Sequence, residues 1–396
     1  MEIYELPYNI DFIERIKKLV QLLERKSPDI IILLIQPNDI ILIPALSALS
    51  NKPLTFFFNH ADNGFWLGKK IIDRLIEFRV EGAKYSRKFR NITQNQFIIP
   101  LTTNIKPLKI SKSEFGIPEN STLSISVGGF SKVGGNFEFN YFKIIEKILK
   151  KFTNHYHMFI TNATSEDILK EYRSIDLDIK KRFVITGPFS DLRSIYGIAD
   201  FLISTFPIGG GLVRLEAMAC GLPIVAYHNN RCPLICFDDA LPPNYFYLAS
   251  NEIEIINFSS QFIKNPKLRK AVSEQLYDFY IQNMSPKIVK YLLNNIIKGD
   301  ISNNILFDPH SSKEIEIKYD EEYLYRVFYK SPHIKGLLDL SINFSLFSFK
   351  QRIRFYIEAL KRNEFKSSVE SFQYAITSFM GYYIFPLYKL IKKFFL

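Results

Sequence analysis

The chain has few of the residues that build disulfide frameworks, metal cages or long membrane spans. Of its 396 residues only three are cysteines, Cys220, Cys232 and Cys236. So few make no disulfide scaffold, and they point to a reducing compartment. Cys232 and Cys236 lack the second pair of ligands that a zinc site needs. No glycine-rich loop runs into Lys followed by Ser or Thr, so there is no P-loop. There is no internal repeat and no low-complexity tract. Lys and Arg outnumber Asp and Glu by 51 to 40, a net charge of +11, yet no long basic block precedes the C-terminal region. The charge alone therefore does not select nucleic acid over membrane or phosphorylated ligand. The opening residues, MEIYELPYNIDFIERIKK, carry acids where a signal peptide needs bases, and they have no continuous apolar core. Export is not expected.

What is present is apolar surface in quantity. The 36 Phe and 22 Tyr exclude a disordered chain. The length allows two to three domains. Apolar runs at 29–35, 53–59 and 95–100 read as buried strands, with helical patterns around 9–26, 38–50 and 68–80. This is a short β/α alternation of about three strands, implying a parallel sheet. NIKPLKISKSEFGIPEN (104–120) has the Pro and Ser content of a linker. A longer alternation follows. Strands are expected at 122–129, 156–161, 182–187, 201–206 and 223–227, and helices at 137–152, 165–175 and 191–199. The fold class read here is α/β. The N-terminal domain covers 1–105, the linker 106–120, a second Rossmann-like domain 121–300, and a helical appendage 301–396.

Between two of those strands lies IGGGLVRLEAMACGLPIVAYH, Ile208 to His228. Glycines between a strand and a helix permit backbone conformations that side chains forbid, and they let a ligand approach the amides closely. The helix that follows offers unpaired N–H donors and a positive dipole end, where phosphate binds well. Gly209, Gly210 and Gly211 thus read as a phosphate cradle, with a plain turn as the alternative. Glu216, on the first turns of that helix, can accept hydrogen bonds from paired ribose hydroxyls, or it is a solvated helix residue. Arg214 is either a phosphate contact or a solvated helix arginine.

LEAMACGLPIVA resembles the donor-binding signature of the GT-B glycosyltransferases, especially the family-4-like retaining group. The likeness extends over roughly 120–300, and more weakly over 1–100. It implies two Rossmann-like domains facing a cleft, the second holding a nucleotide sugar without a metal or other cofactor. It implies that Glu216 takes the ribose hydroxyls, and that the amides around Gly210, Gly211 and Leu212 take the diphosphate or sugar. In VGGFSKVGG (127–135) it implies a basic residue on the donor diphosphate, which Lys132 matches, with Gly129 in the same loop. In TGPF (186–189) it implies that backbone groups from Gly187 onward face the base. In FFFNHADNGFWLG (56–68) it implies that His60 lies near the anomeric carbon and donor phosphate. An imidazole there can donate a hydrogen bond or handle a proton. Asp62 and Trp66 are weaker candidates for the acceptor side.

Two departures stand out. The family carries two glutamates eight positions apart, and here the earlier position is Ile208. The first domain also lacks the opening strand and glycine-rich loop that help seat the acceptor. Both support a second reading, a degenerate glycosyltransferase-like domain acting as partner subunit or membrane scaffold. Asp176-Leu177-Asp178 spells the metal signature of the other major glycosyltransferase fold, but it ends a polar helix. His155 and His157 suit solvent or packing better than metal.

Residues 331–396 carry ten Lys/Arg against four Asp/Glu, a net +6, with aromatics interleaved. FSFKQRIRFYIEALKRNEF and IFPLYKLIKKFFL suit equally a helix lying on an anionic bilayer and a helical appendage packed on the rest of the protein. Residues 371–388 hold no charge, which reaches the rough minimum of ~18 for a span, but Gln373, Ser/Thr and Pro386 argue against one. The expected activity is transfer of a sugar from a nucleotide diphosphate sugar to a hydroxyl on a glycan, a lipid-linked intermediate or a protein. The expected place is the cytoplasm, with the inner face of the membrane as the alternative. No nucleic-acid partner is expected.

Overall fold

The computed structural model describes residues 2–7, 9–35, 39, 41–60, 62, 68–92, 95–133, 140–162, 176–189 and 191–299. Trp66, the expected helix over 165–175 and the C-terminal region with its basic and uncharged stretches lie outside the described residues. The described chain falls into two compact units that part between Ile99 and Pro100.

In the first unit α1 (Phe12–Lys26) begins at Asp11, whose carboxylate accepts from the amides of Ile13 and Glu14, and it ends at Ser27 in the left-handed region. Asp11 thereby satisfies two of the orphan donors of the first turn. Strands β1 (Ile30–Leu33), β2 (Leu54–Asn59), β3 (Arg74–Glu77) and β4 (Gln96–Ile98) form a parallel sheet in that order. The crossovers carry α2 (Leu42–Ala48) and α3 (Val80–Arg90). Leu33, Ile43, Leu46, Phe57, Leu75 and Ile92 pack together as the core of this unit.

One sequence expectation fails here. Residues 68–80 do not form a helix, since β3 occupies 74–77 and the helix starts at Val80. The sheet therefore has four strands, not about three. Ile71, Ile72, Leu75 and Ile76 mimic a helical face. A short strand enclosed between two others shows the same continuous apolar run, because both its faces are covered. Leu75, Ile76 and Glu77 are each no more than 1% exposed.

The second unit contains a six-stranded parallel sheet. Its strands are β5 (Thr122–Val127), β6 (His155–Ile160), β7 (Phe183–Thr186), β8 (Phe201–Ile203), β9 (Ile224–Tyr227) and β10 (Leu248–Ala249). Their order is β10-β9-β8-β5-β6-β7. The chain winds outward from β5 through β6 to β7, then returns to the other side of β5 and continues through β8 to β10. The β5/β8 pair is thus the switch point, and ligands of open α/β sheets bind outside the carboxyl ends of the strands there. The helices are α4 (Tyr141–Lys151), α5 (Leu177–Arg182), α6 (Arg193–Ile198), α7 (Gly211–Ala219), α8 (Pro233–Cys236), α9 (Glu252–Lys264), α10 (Pro266–Asn283) and α11 (Pro286–Lys298).

Aromatic mass holds this sheet. Tyr141 and Phe142 of α4 pack on Phe159 of β6, with ring centroids 5.3 and 6.2 Å away. Truncating Phe159 to Ala would cost about 3–5 kcal/mol. His155 and His157 belong to the same packing. His157 bonds Ser124 Oγ and Tyr141 Oη at 2.7 Å each, and His155 bonds Thr122 and Ser124. Burial holds both imidazoles in the neutral form, with His155 pushed down to about 3.

The stretch read as a linker is anchored within the second unit. Ser111 and Glu114 form a capping box on a single 3₁₀ turn, Lys112–Phe115. The Leu108 amide donates to the Arg193 carbonyl at 3.0 Å. Gly197 of α6 makes this approach possible, since a Cβ there would lie 1.8 Å from the Leu108 carbonyl oxygen.

Candidate functional site

The loop after β8 builds the glycine turn. Residues 204–207 are buried, and the Phe206–Pro207 peptide is cis. Thr205 Oγ1 donates to the Ile208 carbonyl at 2.9 Å, and the Gly209 amide donates to the Ile235 carbonyl at 2.8 Å. None of the three glycines has a positive φ. At Gly209 and Gly211 the requirement is space, which corrects the expectation of a conformation closed to side chains. A Cβ on Gly209 would lie 2.1 Å from the Cys236 carbonyl oxygen, and one on Gly211 would lie 3.1 Å from the Phe237 ring. Gly210 is the N-cap of α7 and supplies no side-chain cap. The first-turn amides of a nine-residue helix therefore lack a capping side chain, at the end that favours an anion.

The loop after β5 brings a cation to this turn. Gly129 caps a 3₁₀ turn, Phe130–Lys132, and Lys132 Nζ donates to the Gly209 carbonyl at 3.2 Å. A Cβ on Gly210 would sit 3.5 Å from the same Nζ. Burial, and then the Arg214 charge, press the ammonium below its ordinary value. An anion between Lys132 and the α7 amides would relieve that pressure. Arg214 is not a solvated helix residue. It is fully buried, and its Nε donates to Ser204 Oγ at 2.9 Å. It lies behind the glycine turn, where it sets a second positive charge without standing at the surface. Leu212 is 51% exposed on the first turn.

Glu216 lies one and a half turns into α7 and is half-buried. Its Oε2 accepts from the Tyr196 hydroxyl of α6 at 2.9 Å. Burial raises its carboxyl above the ordinary range, and the Tyr196 bond offsets part of that. Burial, then the Glu216 charge, push the neighbouring Cys220 thiol up to about 12, so it is not a thiolate near neutral pH. Gly187 is exposed, and a Cβ there would meet nothing, so neither space nor conformation demands a glycine. Beside it Phe189 is 38% exposed and stands 6.1 Å from the Phe115 ring.

Sequence reading missed a pair at the carboxyl end of β9. His228 Nδ1 bonds Asp238, and its Nε2 bonds Asn230. Burial pushes Asp238 up, but the His228 bond and charge, with the Arg214 charge, hold it below its ordinary value. The pair closes the segment whose Ile235 and Cys236 carbonyls back the glycine turn. No local motif marks it, because the partners stand ten residues apart across an irregular loop.

In the first unit His60 follows β2 and is exposed. Asp62 does not face solvent as an acceptor contact would. It is 6% exposed, its carboxylate pairs with Arg79, and its carbonyl accepts from Arg90 at 2.9 Å. Next to it Glu77 is fully buried, accepting from Asn59 Nδ2 at 2.8 Å and bonding Ser86. Burial raises Glu77 to about 7, against the opposing charge of Arg90. Gly82 admits this network, since its Cβ would lie 2.8 Å from Asp62 Cβ.

Among the described residues no group of three or more His, Cys, Asp or Glu gathers as metal ligands. Among them no helix is long and apolar enough to cross a membrane. Asp176, first of the Asp-Leu-Asp triplet, caps α5 by accepting from the Asp178 amide.

Residues 126–240, from the end of β5 to the His228–Asp238 pair, match the family model described as Glycosyl transferases group 1. No curated protein matches the chain in sequence. Among solved structures, a glycosyltransferase from Rickettsia africae ESF-5 is 14% identical with a TM-score of 0.53, covering 76% of this chain and 85% of its own. The accessory secretory protein 1, 2 and 3 structure from Streptococcus pneumoniae is 10% identical with a TM-score of 0.52, covering 73% of this chain and 57% of that one. A mutant O-GlcNAc transferase of Thermobaculum terrenum is 13% identical with a TM-score of 0.50, covering 72% and 54%. The chain thus spans little more than half the length of the last two. The fold is α/β with parallel sheets, of the GT-B glycosyltransferase type, and the family match supports glycosyl transfer.

Proposed function

We propose that the protein transfers a sugar from a nucleotide diphosphate sugar to a hydroxyl acceptor, and that it holds the donor in its second unit. One observation carries this reading. The Lys132 ammonium, in the loop after β5, donates to the Gly209 carbonyl at 3.2 Å, and the uncapped amides of α7 begin just after that residue, at the switch point of the sheet. Diphosphate fits there, because it offers the negative charge that both groups lack. Glu216 on the same helix has a carboxylate for the ribose diol. Phe189 and the exposed backbone from Gly187 serve the base. Negative charge grows on the departing nucleotide during transfer, and the fixed ammonium and amides stabilise it without rearrangement. His60 contributes to turnover rather than to nucleotide affinity. No metal takes part in this reading. The +6 tail favours a lipid-linked or cell-surface glycan acceptor at the inner face of the membrane.

The test is nucleotide release from UDP-, GDP- and ADP-sugars. One donor should be turned over, slowly with water alone, and Lys132→Ala should abolish it. Failure of all three donors to bind or turn over would overturn the proposal. A second reading, a partner subunit without catalysis, is favoured by Ile208 at the position where the related enzymes carry their first glutamate. It predicts nucleotide binding without turnover, or neither.

A further inference from the structure

The residue that holds Glu216 belongs to another helix, and the sequence motif does not contain it. Tyr196 of α6 is 3% exposed, and its hydroxyl donates to Glu216 Oε2 at 2.9 Å. Among the described residues Glu216 Oε1 has no hydrogen-bond partner. A ribose diol needs a carboxylate oxygen presented in one orientation, and a lone glutamate side chain would lose rotamer freedom to provide it.

The helix carrying Tyr196 is itself fixed. The Leu108 amide bonds the Arg193 carbonyl at the start of α6. Gly197, next to Tyr196, takes the Leu108 carbonyl where any side chain would collide. Ile195 and Ile198 are buried on either side. The phenol therefore approaches α7 from a base that cannot yield, while α7 is fixed by the buried Arg214 and Leu215.

We infer that Tyr196 is a positioning residue for Glu216, occupying one carboxylate oxygen so that the other is aimed at the ribose hydroxyls, and that it thereby sets the preference for a ribonucleotide over its deoxy analogues. The inference rests on the donor-site reading given above. It adds a residue that touches no part of the nucleotide itself.

The experiment uses the full chain and two probes. These are whichever of UDP, GDP and ADP binds, and the 2′,3′-dideoxy form of that nucleotide. Wild type, Tyr196→Phe, Glu216→Gln and the double variant are titrated by calorimetry. Tyr196→Phe should weaken the ribonucleotide about five- to tenfold, the scale of one hydrogen bond, and leave the dideoxy form unchanged. In the Glu216→Gln background Tyr196→Phe should have no further effect. Equal weakening of both probes would overturn the inference, because a general loosening of α6 acts on the whole nucleotide. If Glu216→Gln leaves the ribo/dideoxy ratio unchanged, the ribose assignment itself falls, and this inference falls with it. A second readout needs no nucleotide. In carbon NMR the Glu216 carboxyl should titrate at higher pH in Tyr196→Phe than in wild type, since the phenol bond lowers it. An unmoved titration would show that the phenol does not hold the carboxylate.

Discussion

Glu77→Gln tests whether the buried network of the first unit carries the charge state described for it. Glu77 is fully buried and its carboxyl is raised from 4.5 to about 7 by burial, a rise that Arg90, Ser86 and Asn59 limit. The unfolded chain gives up this proton near 4.5, whereas the folded chain keeps it until about pH 7. Between those values the unfolded state binds fewer protons, so stability falls as pH rises. The loss is full above pH 7 and absent below 4.5. At about 1.4 kcal/mol per unit it amounts to about 3 kcal/mol. Glutamine copies the protonated acid. Its carbonyl accepts from Asn59 Nδ2, and its amide donates to Ser86 Oγ. The variant should match wild type near pH 4.5 and exceed it by about 3 kcal/mol at pH 8. Urea unfolding at several pH values, followed by far-ultraviolet circular dichroism, measures the difference. Other titrating groups are common to both proteins and cancel. Parallel stability curves, or a variant less stable at pH 8, would refute the reasoning.

Other expectations follow from the second unit. Lys132→Ala should weaken nucleoside diphosphate binding about 10- to 100-fold, the scale of a hydrogen bond to a charged group. A monophosphate should lose less. Because the ammonium lies below its ordinary value, diphosphate affinity should fall as alkaline pH removes its charge, and Lys132→Arg should flatten that fall. Gly209→Ala drives a Cβ into the Cys236 carbonyl and should cost about 1–3 kcal/mol in chemical unfolding, with loss of nucleotide binding. Asp238 lies below its ordinary value, so its contribution is complete at neutral pH and lost as acid protonates it. Asp238→Asn should remove that acid sensitivity from the melting temperature. Chelation with EDTA should leave turnover unchanged, and a loss of turnover would put a metal into the reaction.

Five of the six strands of the second unit, β5 to β9, were legible in the sequence because they lie in apolar runs with helical patterns between them. The glycine turn and Glu216 were read from the strand–loop–helix pattern, and Lys132 from the family resemblance. Other features were not legible, each for its own reason, the His228–Asp238 pair because its partners stand ten residues apart across an irregular loop. β3 is four residues long and enclosed, so its apolar run imitates a helix face. Arg214 reads as a surface arginine, since nothing in the local pattern shows that Ser204, ten residues back, receives its guanidinium in the interior. Tyr196 lies twenty residues before Glu216, on a helix with no motif of its own. Pairs of this kind arise only when the sheet brings two crossover helices together.

The most direct test of the donor site is calorimetric titration of the full chain with UDP, GDP and ADP, with Glu216→Ala alongside. The account predicts saturable binding of one of the three, weakened at least about tenfold by the substitution. Absence of binding at millimolar concentration in a folded sample, or binding that Glu216→Ala leaves intact, would contradict it.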